Sequence, residues 1–208
     1  MSVLLTAVLA CMVLMPSAKI SAAADHAKKL TEIYSTGLVP CGANDDGMDA
    51  LIRKYQPKVA SLEIREFPAL RNEARVVQIV GERIFTLDFY PLYKKRDKAM
   101  QEFNAEVPPK VSTSPISVET SRALVSLFTE DIRHSRPREV IAIDGVSYGF
   151  HIPGLGCAYT HSPSRGSRAV ELTDIYFSLQ KQATLTDSAQ IQESDRDIFA
   201  SSRALHVE

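Results

Sequence analysis

The sequence predicts an α+β fold: an antiparallel sheet built from hairpins, with two or three amphipathic helices packed on one face. Three observations carry that reading. Apolar and polar residues alternate with period two in "SLEIREF" (61–67) and "RIFTLDFY" (83–90), the pattern of strands with one buried face. Asp144–Gly145 stands between the runs "REVIAI" and "VSYGFHI", and Asp-Gly favours a two-residue hairpin turn because both of its positions need positive φ. Apolar residues recur at helical spacing in three other stretches.

Taken in chain order, the first segment is an address. An apolar run from Val3 to Met15 stops at Pro16 and is followed by "SAAAD" (21–25), the arrangement of a signal peptide cut after Ala24. Its 13 residues would rise only about 20 Å as a helix, against a hydrocarbon core of about 30 Å. Residues 1–24 are therefore expected to direct export to the periplasm or the medium, with no membrane insertion after cleavage. Cys11 lies inside the apolar run, so it does not fit a lipidated cysteine, which would stand at the end of that run.

Residues 25–183 are expected to form a single α+β domain. In 44–57, Met48, Leu51, Ile52 and Tyr55 make one helix face. Asn44, Asp45 or Asp46 is placed to cap that helix and Pro57 to end it. The acidic pair lacks the spacing of a calcium loop. Three strands follow, in "SLEIREF", "RVVQIV" and "RIFTLDFY", with a turn at Gly81–Glu82 and one face left to water. Residues 91–116 read as irregular. Ser117 caps a strong helix carrying Val118, Leu124, Val125, Phe128 and Ile132. After the Asp144–Gly145 hairpin comes a further strand, "GCAYTH" (156–161), and a last helix with Ala169, Leu172, Ile175, Tyr176 and Leu179 on its face. Residues 184–208 are rich in Ser, Asp and Gln and read as a flexible polar tail.

Composition excludes some function classes. The chain carries 24 basic and 25 acidic residues. A nucleic-acid partner is excluded because no basic stripe is available to neutralise phosphates. No phosphate-binding glycine loop, dinucleotide fingerprint or zinc-protease motif occurs, and no cofactor is expected. Lys94, Lys95, Arg96 and Lys98 cluster in "YKKRDK"; a solvated face is the simpler reading, and anion binding the alternative. A small hydrolase would use His161 with Asp88 or Asp144 and a serine such as Ser162, although the spacing of these residues does not bring them together.

The C-terminal half resembles a group of secreted bacterial proteins that have no assigned activity. The likeness rests on the capped helix at 117–133, the basic segment 136–138, "DGVSYGF" (144–150), the Ser162–Pro163 loop and the final helix at 168–182. It implies export and this fold, and it brings no catalytic residue with it. His161 stands where those proteins often have tryptophan before the Ser-Pro pair.

One short stretch invites a chemical reading, because Cys157 lies between His151 and His161. A four-residue turn at 153–156 would pair Ile152 with Cys157. Cys157, Tyr159 and His161 would then face the core, away from His151. Cys157 and His161 are four strand residues apart, about 13 Å, which is too far for one zinc ion or for a direct nucleophile–base contact. No metal site is expected from these three residues. Removal of residues 1–24 leaves two cysteines, Cys41 and Cys157, and an even pair in an oxidising compartment predicts a disulfide. The function expected is that of an exported, non-catalytic binding protein, of inhibitor or immunity type or an envelope accessory, whose partner is another protein of the cell envelope.

Overall fold

The computed structural model describes residues 37–41, 46–56, 58–97, 100–137 and 145–206. The N-terminal apolar run, the cleavage position after Ala24, Cys11, Asn44, Asp45, Lys98, Asp144 and the run 138–143 lie outside these residues. Within them the order is β1 (Val39–Pro40), α1 (Asp46–Tyr55), β2 (Leu62–Pro68), β3 (Ala74–Val80), β4 (Arg83–Phe89), β5 (Tyr93–Asp97), β6 (Met100–Phe103), β7 (Lys110–Pro115), α2 (Val118–Arg133), β8 (Val146–Ile152), β9 (Gly156–His161), α3 (Arg168–Ala183) and α4 (Ser188–Leu205). The fold is α+β. A seven-stranded sheet runs β1-β9-β8-β2-β3-β4-β7, with every pairing antiparallel, and β5 and β6 form a separate two-stranded sheet.

Alternation along the strands divides the core between the two faces of the sheet. On the first face Leu62, Ile64, Val77, Ile79, Ile84, Phe150 and Ile152 pack against Leu124, Phe128 and Ile132 of α2 and Leu172, Tyr176 and Leu179 of α3. Ser117 caps α2 by accepting from the Thr120 amide, and Ser167 caps α3 by accepting from the Val170 amide. Arg168 at the start of α3 donates Nε and a terminal nitrogen to the two carboxylate oxygens of Asp131 in α2, both at 3.1 Å. This fork matches carboxylate geometry and ties the two helices together.

The second face was expected to be wet, with all helices on the other side. It is covered in part. Met48, Leu51 and Ile52 of α1 pack onto Ala74, Val76, Leu87 and Phe89 in a second apolar cluster. The helix face read from 44–57 is thus the one that is buried, and its target is the side of the sheet opposite α2 and α3.

Three other expectations change. Residues 184–208 are not a loose tail: α4 spans Ser188–Leu205, capped by Asp187, and packs on α2 and α3. Ile198 is 2% exposed and Ser202 is buried, the Asp195 side chain accepts from the Ser117 amide at 3.2 Å, and most of the other polar residues of the segment lie on the helix's outer side. Residues 91–116 contain β5, β6 and β7, and β7 reads as polar because it is an edge strand with Val111 turned outward. β8 has β2 on one side and β9 on the other throughout 147–151; the strand expected at 139–143 lies outside the described residues. Finally, the loop after β8 spans 153–155 and pairs Ile152 with Gly156 and His151 with Cys157. This differs by one residue from the expected register and moves every β9 side chain to the opposite face.

Candidate functional site

The corrected register assembles a polar row across the second face. Gln78 on β3 is opposite Glu63 on β2, Glu63 is opposite His151 on β8, and His151 is opposite Cys157 on β9. Cys41, just after β1, completes the row. Its amide donates to the Cys157 carbonyl at 3.1 Å, and its sulfur is bonded to Cys157 across a Cα separation of 5.5 Å. The expected disulfide is present, although Cys157 faces α1's side of the sheet and not the α2–α3 core.

The neighbouring row is Val76, Arg65, Gly149, Tyr159 and Val39. Gly149 makes room for the row beside it, since a Cβ there would stand 3.1 Å from His151 Nε2 and 4.0 Å from Arg65 Cβ.

Glu63 and Arg65 look like the solvent side of an alternating strand, yet they are only 8% and 6% exposed. Buried charges must be paired and hydrogen-bonded. Arg65 donates Nε to Glu63 Oε1 at 2.6 Å and a terminal nitrogen to Asp49 of α1. Gln78 donates Nε2 to the other Glu63 oxygen at 2.6 Å. Burial alone would lower the Arg65 pKa, but Glu63 and Asp49 outweigh it and raise it. His151 responds in the opposite sense: burial first, then the Arg65 charge, depress its pKa to about 4, so its ring is neutral at pH 7.

A cleft of about 390 Å³ opens over this row, lined among others by Asp49, Ile52, Val59, Glu63, His151 and Gly154. Gln78 also lines it. Its Oε1 is buried without a hydrogen-bond partner, whereas its Nε2 is committed to Glu63. A donor in the cleft would satisfy that acceptor once the Gln78 side chain turns it toward the opening. The carboxylates of Glu63 and Asp49 are both engaged by Arg65, so the cleft is better suited to holding a group than to transferring protons.

Other sequence candidates fall elsewhere. His161 is opposite Ser147, and Ser147 Oγ lies 2.9 Å from His161 Nδ1. Ser162 adopts φ +41° and accepts from the Val146 amide through its Oγ at 3.3 Å. Asp88 belongs to the first face, opposite Arg75, and so cannot reach His161. Lys94 lies 2.8 Å from Glu106 and 3.2 Å from Glu102, which raise its pKa through hydrogen bonds and charge. It is therefore already paired with acids. Arg96 shares the β5–β6 ladder with Gln101.

Comparison with known protein families, with curated proteins and with solved structures finds no match to this chain.

Proposed function

We propose that the protein is an exported, non-catalytic binding protein that acts in the periplasm or the medium, and that its binding site is the cleft over the Gln78–Glu63–His151–Cys157 row. The observation that carries the reading is the unpartnered Gln78 Oε1, a buried acceptor at the wall of an open cleft whose carboxylates, Glu63 and Asp49, are both already paired with Arg65. The disulfide supports export, because such bonds persist in oxidising compartments. Its position beside the cleft holds one wall of the site in place. The partner is another component of the cell envelope that presents a hydrogen-bond donor to Gln78.

The test is chemical crosslinking in the native cell envelope followed by mass spectrometry, comparing the wild-type chain with Val59→Trp, which fills the cleft mouth from a residue 80% exposed. A crosslinked species present with wild type and lost with the variant supports the reading. Equal crosslinking by both places binding elsewhere. N-terminal sequencing of the exported chain tests cleavage after Ala24, and exported material beginning at Met1 would remove the signal peptide. A hydrolase reading has one contact in its favour, the Ser147–His161 hydrogen bond, but these two residues do not line the cleft.

A further inference from the structure

Cys41, His151 and Cys157 each offer a ligand atom, and the three atoms lie within 4.8 Å of one another. Thiolate and imidazole ligands bind zinc at about 2.3 and 2.0–2.1 Å respectively. Around one tetrahedral ion such atoms stand about 3.5–4 Å apart, so the His151 nitrogen must come slightly closer while the two sulfurs, joined here, must separate, and side-chain rotation after the bond is broken covers both movements. While the two sulfurs are joined they are not available as thiolates.

The frame that holds them does not depend on the sulfur–sulfur bond. His151 and Cys157 face each other in the β8–β9 ladder, and Cys41 is held by the hydrogen bond its amide donates to the Cys157 carbonyl and by the β1–β9 pairing next to it. All three side chains are half-buried, so reductant and metal can reach them from the cleft. Cys157 and His151 both line that cleft, which leaves a fourth coordination position facing it.

We propose that reduction of the Cys41–Cys157 disulfide converts this end of the cleft into a three-ligand site, Cys41 Sγ, Cys157 Sγ and one His151 ring nitrogen, for a thiophilic d10 metal ion such as Zn²⁺ or Cd²⁺. The reductant is a thiol. One thiolate attacks a sulfur of the pair and breaks the bond, giving a mixed disulfide and one protein thiol. A second thiolate then releases the other protein thiol, and the reductant leaves as its own disulfide. Two electrons and two protons are thereby taken up. A divalent ion displaces both protons, leaving two thiolates and a neutral imidazole around it, so the site carries no net charge. The disulfide is then one of two closed forms of the same site, and redox poise selects between them.

The experiment uses the full mature chain, either oxidised or reduced and desalted without oxygen, and titrates it with Cd²⁺ while following the ultraviolet thiolate-to-metal absorption. Far-ultraviolet circular dichroism before and after metal reports whether the fold is retained. The expected result is one equivalent bound by the reduced chain, none by the oxidised chain, and affinity about tenfold weaker or worse in reduced His151→Gln, with His161→Gln unchanged. Equal binding by oxidised chain, no binding by folded reduced chain, or full affinity in His151→Gln would each overturn the proposal. So would a reduced chain that loses its sheet signal and does not recover it with metal.

Discussion

Gly149 and His151 show how much a single residue decides on this sheet. Gly149 clears the space that the His151 ring occupies, so a branched side chain there must displace the ring or the strand. Gly149→Val is expected to lower stability by about 1–3 kcal/mol, as overpacking usually does, measured by urea denaturation. His151 is the residue through which acid acts. Its pKa is held at about 4 in the folded chain against 6.5 in the open, so below pH 6.5 the unfolded chain takes up a proton that the native chain refuses. The stability that this ring contributes is complete above pH 6.5 and is lost as pH falls toward 4. The charged groups around it are Arg65 and Glu63 on β2 and Asp49 on α1. Thermal melts over that range should show the loss, and His151→Gln should flatten that part of the profile. An unchanged profile would mean that another group titrates there. The face of His151, away from the α2–α3 core, was legible in the sequence, but its neighbour across the ladder was not, because the side on which Cys157 falls depends on whether the β8–β9 loop has three residues or four. "PGLG" accommodates either, and one residue of slip reverses the whole strand.

At the scale of elements, patterning served best where a segment buries a wide apolar face. The α3 face was readable residue by residue, and Ser117 caps as its position suggests. It served least for α4, where only a few apolar residues meet the body of the protein and the remaining side chains face water. A helix laid on other helices can be mostly polar, and composition then resembles that of a disordered segment. Ile198→Ala separates the two descriptions. In a packed α4 it should cost about 2–4 kcal/mol, whereas in a loose tail it would cost almost nothing, and chemical denaturation distinguishes them. The Glu63–Arg65 pair misled in the reverse sense. Alternating charges in a strand read as a wet face, but α1 lies over them, and its position could be inferred only from the fold.

Across the whole molecule, the disulfide joins residues 116 apart. Closing so long a loop restricts the unfolded chain by an entropy worth about 4–5 kcal/mol, an upper figure since measured values often fall short. Cys41→Ser with Cys157→Ser should therefore lower the urea midpoint clearly while leaving the far-ultraviolet spectrum native. An unchanged midpoint would mean that the bridge contributes no net stability. The order of strands adds a further consequence. Among the described residues β1 is the first strand of the chain and its sheet neighbour is β9, the last, so its strand partner is made only after the rest of the sheet. Throughout that interval Cys41 lacks its partner sulfur. A thiol-reactive label added during synthesis or refolding is expected to catch Cys41 before this seam between the first and last described strands closes, and would time its closure.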